Sequence, residues 1–110
     1  MTLDTSLEID VHGLKAKLET GSGCVILDVR SAQELEIARL PGVVHIPLER
    51  LSFEMDQLPR DQQIVVMCHH GSRSLMATLA LRQAGFDNAV NLRGGIHAWS
   101  RQIDSSVPIY

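Results

Sequence analysis

No apolar run in this sequence approaches the roughly 18–20 residues that a membrane-spanning helix needs, and the longest extend over only a few positions. The opening Met1-Thr2-Leu3-Asp4 has neither the basic nor the apolar region of a secretory signal, so a cytosolic (cytoplasmic) location is expected. Cysteine is scarce, with only Cys24 and Cys68. A cytosolic chain that can build its own core has no need of a disulfide, and reducing conditions oppose one. There is no C-x-x-C, which argues against thioredoxin-type redox chemistry and against a cysteine zinc site. Positive charge is short as well: 10 Lys and Arg stand against 13 Asp and Glu, a formal net charge of −3. Nucleic acid is therefore not expected as a partner, because counterion release requires a basic face. An anionic ligand would have to be held by a local site. Internal repeats and low-complexity segments are also missing.

What remains is an ordinary globular composition, 45% apolar and 21% charged, in a 110-residue chain that reads as one domain with one core. Asp10 precedes Val11, Leu14 and Leu18, which share one helical face, and Gly21 and Gly23 supply a stop. Cys24-Val25-Ile26-Leu27 reads as a buried strand running into Asp28-Val29-Arg30. Ser31 with Glu34 three residues later is a capping box for a short helix through Ala38. Pro41-Gly42 makes a turn, Val43 to Ile46 a brief strand, and Pro47 a helix start whose apolar face continues through Leu48, Leu51 and Met55. Beyond Pro59-Arg60-Asp61 come a strand over Ile64–Met67 and a helix in which Leu75-Met76 and Leu79-Ala80-Leu81 carry the apolar spacing, ending at Gly85. Asn88 to Leu92 is a further strand, Gly94-Gly95 a turn and Ile96 to Gln102 a last helix, in which Ile96 and Trp99 are packing residues. The tail from Ser105 to Tyr110 reads as irregular. Strands alternating with helices imply parallel pairing with helices on both faces. In such sheets ligands bind beyond the carboxyl ends of strands, where Asp28, Arg30 and Cys68 all fall.

The segment Cys68-His69-His70-Gly71-Ser72-Arg73-Ser74 carries the chemistry. A cysteine between a strand and a helix sits where free backbone N–H groups and the helix dipole favour an anion. Such positions lower a thiol pKa from about 8.5 into the range of roughly 3.5–7.5. A cysteine ending an apolar strand is often only a small buried hydrophobe, but an inert one has no use for the two histidines, glycine, serines and arginine that follow. Cys24, which opens a strand, is read as inert.

Taken together, Leu27-Asp28-Val29-Arg30 with Glu34, Leu40-Pro41-Gly42 leading to Ile46-Pro47, the cysteine loop, and Gly94-Gly95-Ile96-His97-Ala98-Trp99 resemble, in order and spacing, the rhodanese-like sulfurtransferases. The resemblance spans about residues 6 to 103; one departure is Arg39-Leu40, where the family more often has His-Ile. It implies a single domain over residues 1–110, an α/β fold of three α/β/α layers around a five-stranded parallel sheet, and no cofactor. It further implies ping-pong sulfur transfer. Cys68 would take the outer sulfur of thiosulfate, release sulfite and hold a persulfide until cyanide, a thiol or a protein acceptor removes the sulfur.

Within that expectation Cys68 is the nucleophile, and Gly71 lets several N–H groups converge. Arg73 matches the family's arginine and would pair with sulfonate oxygens or the thiolate; alternatively it forms a salt bridge that only holds the loop. Ser72 and Ser74 are hydrogen-bond donors, with Ser74 equally readable as the N-cap of the next helix. His69 and His70 frame the pocket and, when protonated, would favour anions. A zinc site of Cys68, His69 and His70 is not expected, because neighbouring side chains diverge and a fourth ligand is not evident, so no metal is assigned. His12, His45 and His97 are read as surface or supporting residues. Asp28 and Arg30 could contact substrate, but an internal Arg30–Glu34 ion pair is preferred.

Two rival functions share these residues. Cysteine phosphatases, and arsenate reductases by the same logic, use C-x5-R, with the arginine one position further from the cysteine than Arg73 stands from Cys68. The shorter loop goes with sulfur. A non-catalytic binding module would be expected to lack the cysteine. The stretch from Trp99 to Tyr110 also resembles the end of rhodanese domains fused to adenylating enzymes that charge ubiquitin-like sulfur carriers, which makes sulfur relay to such a protein an alternative.

Overall fold

A computed structural model describes residues 7–21 and 23–110. Five strands, β1 (Glu8–Ile9), β2 (Cys24–Asp28), β3 (Val44–His45), β4 (Gln63–Met67) and β5 (Ala89–Leu92), form one sheet in the order β1-β5-β4-β2-β3, with every pair parallel. The helices are α1 (Val11–Thr20), α2 (Ala32–Ile37), α3 (Leu51–Glu54), α4 (Ser72–Gln83) and α5 (Gly95–Gln102). The central strand is β4, so the segment that follows it leaves the middle of the sheet.

The two-residue period of a strand divides the core. Ile64 and Val66 of β4 join Leu27, Ala77 and Leu81 on the face covered by α3 and α4. Val65 and Met67 join Val11, Leu14, Ile96 and Trp99 on the face covered by α1 and α5. Helices on both faces of a parallel sheet give the three-layer α/β/α arrangement expected from the sequence. Cys68 continues the parity of Ile64 and Val66 and belongs to the α4 face.

Local signals close the elements as read. The Asp10 carboxylate accepts the Gly13 N–H at 2.8 Å to start α1, and Gly21 ends it at φ 65°, a left-handed conformation that glycine adopts without strain. Ser31 and Glu34 form the reciprocal capping box of α2. Pro47 begins a short 3-10 turn leading into α3, and Leu48, Leu51 and Met55 pack on the core.

Three expectations change. Leu18 is 47% exposed, so α1 buries Val11 and Leu14 only. In α4, Met76 and Leu79 are 65% and 49% exposed, and the buried stripe is Ser74, Ala77, Thr78 and Leu81. That stripe has helical spacing too; it wins because Ser74 must face Cys68, and small residues let α4 lie close to the sheet. Strand β1 spans two residues, too few to show a period, and was not anticipated. Beyond α5 the tail has no helix or strand, yet Val107 and Tyr110 pack against the α1/α5 side of the core. Among the described residues no helix is long and apolar enough to cross a membrane.

Candidate active site at the end of the central strand

The loop between β4 and α4 is shaped from behind. The carbonyls of Cys68 and His69 accept the N–H groups of Ile96 and His97 at 3.0 and 3.1 Å, so they cap the first turn of α5. In a trans peptide the N–H points opposite to its C=O. Turning those two carbonyls toward α5 therefore turns the His69 and His70 amides away from α5, and the His70 amide is one of the donors to the Cys68 sulfur. Gly95 makes this possible: a Cβ there would lie 2.5 Å from both the Cys68 and His69 carbonyl oxygens, and its φ of +61° suits only glycine. Gly71, at φ 112°, completes the curve and caps α4.

Cys68 is 1% exposed, with its sulfur at the N-terminus of α4. Its Sγ receives the Gly71 N–H at 3.1 Å, the Ser74 N–H at 3.4 Å and the Ser74 hydroxyl at 3.3 Å. Burial pushes the thiol pKa up, but the Ser74 hydroxyl and amide, with the Gly71 and His70 amides, outweigh it and leave the thiol below its ordinary value. Among the described residues, the groups that favour the thiolate are amides and a hydroxyl rather than a base. Ser74 is not the N-cap of α4, a place that Gly71 takes; it is buried in the first turn, and its hydroxyl also reaches Asn91 Oδ1 at 2.5 Å. The Asn91 amide in turn donates to Glu8 at 2.9 Å and to the Gly71 carbonyl at 3.2 Å. Ser72 is exposed at the start of α4.

The ion pairs differ from the expected ones. Arg30 does not pair with the Glu34 carboxylate. It is fully buried and grips Asp28, with Nη2 to Oδ2 at 2.7 Å and Nε to Oδ1 at 3.0 Å, and meets Glu34 only at its main-chain oxygen. The reason is local: Asp28 ends β2 two residues earlier and its Oδ1 also accepts the Arg30 N–H, which folds the side chain back on itself. Asp28 and Arg30 thus form an internal brace rather than a surface open to substrate. Glu34 instead takes both guanidinium nitrogens of Arg73, at 2.7 and 2.9 Å. That forked pair, reinforced by the Tyr110 hydroxyl, holds the Glu34 carboxyl well below the usual carboxylate range. Arg73 keeps 38% of its side chain exposed, and its charge is favoured by the Glu34 carboxylate and, less strongly, by Cys68.

The tail closes this network. The Tyr110 hydroxyl donates to Glu34 and accepts from Arg30, both at 2.8 Å, while its ring stacks on His69 with centroids 3.8 Å apart. A main-chain oxygen of Tyr110 also lies 2.7 Å from His69 Nε2. His69 and His70 do frame the loop, but their rings do not diverge: the centroids are 4.0 Å apart. His97 joins them from α5, 4.8 Å from the His70 ring, in the supporting rather than the surface role. His45 is a supporting residue, bonded at 2.7 Å to the Arg30 carbonyl. Sequence reasoning missed Asn91, Tyr110 and the Glu34–Arg73 pair as parts of this site, and left His97 between a surface and a supporting role. The Gly-Gly-Ile-His motif was the one signal that pointed to α5.

These features can be set beside known proteins. Residues 10–102 match the Rhodanese-like domain family. The chain is 33% identical over 94 residues to a "Sulfurtransferase" of Allochromatium vinosum, covering 86% of this chain and 88% of that protein. It is 37% identical over 93 residues to the "Putative sulfur carrier protein YrkF" of Bacillus subtilis, covering 84% of this chain but half of that one. It is 40% identical over 106 residues to the "Adenylyltransferase and sulfurtransferase uba4" of Ogataea parapolymorpha, covering 94% of this chain and 27% of that enzyme. Among solved structures, a rhodanese-related protein from Thermoplasma volcanium superposes with a TM-score of 0.82 at 30% identity, over 94% of this chain and 98% of that one. The parallel sheet, the cysteine loop at its centre and a match over most of the sequence lead to one conclusion: the chain belongs to the rhodanese-like domain family, whose relatives here are sulfurtransferases and sulfur carriers.

Proposed function

We propose that the protein transfers sulfane sulfur through a persulfide on Cys68, taking it from thiosulfate or a related anionic donor. The observation that carries this reading is the set of donors converging on Sγ from Gly71 and Ser74, in a loop too short by one residue for the phosphatase pattern. The thiolate lone pair forms a bond to the outer sulfur of thiosulfate as the S–S bond breaks, and that electron pair leaves with sulfite. The terminal persulfide sulfur carries the negative charge, so the amides that stabilise the thiolate are positioned to stabilise the product as well. A nucleophilic acceptor then attacks the outer sulfur, and the pair in the S–S bond returns to Cys68 as thiolate. Arg73 supplies fixed positive charge beside the pocket, and His69, His70, Gly71, Ser72 and Ser74 line or shape it. Asp28 and Arg30 support it from behind.

The test is intact-mass spectrometry after incubation with thiosulfate. The wild type should gain one sulfur atom and Cys68→Ser none, and cyanide should discharge the sulfur as thiocyanate. No gain on the wild type, together with hydrolysis of an aryl phosphate, would remove the reading.

A second reading concerns the acceptor. The similarity to the putative sulfur carrier and to the two-function adenylyltransferase and sulfurtransferase favours delivery to a protein rather than to a small thiol. Transfer of labelled sulfur from the Cys68 persulfide to the C-terminus of a ubiquitin-like carrier, measured against transfer to a low-molecular-weight thiol, separates the two.

A further inference from the structure

We propose that His69, His70 and His97 form a binding site for a divalent transition metal of the zinc class at the rim of the Cys68 loop. One ring nitrogen from each residue lies within 4.8 Å of the other two. The three come from two segments that are locked together, because the His97 N–H donates to the His69 carbonyl at 3.1 Å and the Ile96 N–H to the Cys68 carbonyl at 3.0 Å. Two of the three imidazoles therefore stand on a rigid base.

Each ring is suited to ligation in its own way. His69 Nε2 is 2.7 Å from a main-chain oxygen of Tyr110, to which only an N–H can bond. That bond assigns the proton to Nε2 and leaves the lone pair on Nδ1. A ligating histidine usually holds its second nitrogen in this way, on a carbonyl or carboxylate of the outer shell. The stacked Tyr110 ring, 3° from parallel, fixes the plane of the imidazole. His97 Nδ1 is buried and has no hydrogen-bond partner among the described residues. Buried polar atoms are nearly always paired, so an orphaned imidazole nitrogen beside two other imidazoles points to an absent partner. His70 is exposed and can turn about its side-chain bonds.

The spacing sets what must move. Tetrahedral bonds of about 2.0–2.1 Å place ligand nitrogens roughly 3.3 Å apart. The three nitrogens, within 4.8 Å of one another, must draw together for this, and the exposed His70 ring can turn about its side-chain bonds to do so. Three imidazoles leave one tetrahedral position open. A metal held there would be carried by the two residues that follow Cys68 and by the helix that the Cys68 and His69 carbonyls cap. Metal binding as such rests on the three histidines and not on the sulfur-transfer reading.

Titration of the protein with zinc by calorimetry, and with cobalt(II) by absorption, tests the proposal. The wild type and Cys68→Ser should each bind one equivalent, and the cobalt spectrum should lack a thiolate charge-transfer band. His97→Ala and His70→Ala should each weaken binding about tenfold or more. His70 is exposed, so its variant keeps the test decisive if His97→Ala fails to fold. Absence of stoichiometric binding, binding unchanged in both histidine variants, or binding lost only in Cys68→Ser would each overturn the site.

Discussion

The Ser74 hydroxyl lies between two acceptors, 2.5 Å from Asn91 Oδ1 and 3.3 Å from Cys68 Sγ, and it has one proton to give. The Asn91 amide cannot turn its nitrogen toward Ser74 without abandoning Glu8 and the Gly71 carbonyl. The carbonyl therefore faces Ser74 and competes with the thiolate for the same proton.

Opposite shifts follow for the two partners. Ser74→Ala removes a donor to the thiolate, an interaction of about 1.5–3 kcal/mol for a charged acceptor, and should raise the Cys68 pKa by roughly 1–2 units. Asn91→Ala frees the Ser74 proton for sulfur and should lower it. The pH dependence of iodoacetamide alkylation measures both, and shifts of the same sign would contradict the shared proton.

The Asp28–Arg30 brace is completely buried, and removing one member leaves the other charge unpaired. Asp28→Ala should cost about 3–5 kcal/mol in urea unfolding. The double variant Asp28→Leu with Arg30→Met should cost less than the single one, because no charge remains stranded.

Glu34 gives the fold a pH dependence of known sign. Its carboxyl is held below the usual range by Arg73 first, against the opposing effect of burial. A depressed carboxylate adds stability that is fully present above the unfolded pKa of about 4.3 and is lost as pH falls toward the folded value. Glu34→Gln should therefore unfold more easily than the wild type at neutral pH, by about 1 kcal/mol once solvent screening of the half-exposed Arg73 is allowed for. Denaturant midpoints of the two proteins should converge at acid pH.

Tyr110 separates two effects by one atom. Tyr110→Phe keeps the stack on His69 but removes the hydroxyl that joins Arg30 to Glu34. The loss should be about 1 kcal/mol, a few degrees in Tm for a domain of this size. Thermal unfolding followed by circular dichroism checks it, and an unchanged Tm would show the bridge to be idle.

What the sequence made legible was local. The Ser31–Glu34 capping box, the Gly21 stop and the apolar runs of β2 and β4 are decided by neighbours a few residues apart, and all appear as read. The misreadings were non-local or ambiguous. Arg73 finds Glu34 from 39 residues away, and Tyr110 reaches Glu34 across 76, separations at which a single sequence carries no pairing signal. Two stripes on α4 have equally good helical spacing, and only the position of Cys68 tells which one faces inward. The role of His97 stayed open between surface and support because nothing in the spacing of α5 shows that its first turn is capped by the cysteine loop.

That capping gives the loop an indirect witness. The Ile96 and His97 amides are protected from solvent deuterium only while the Cys68 and His69 carbonyls hold their orientation. Exchange at those two α5 positions therefore reports, from the other side of the loop, whether the amides in front are still aimed at sulfur. A donor that reshapes the pocket as it binds would change the isotope uptake there, while one that enters a finished pocket would leave it as it was.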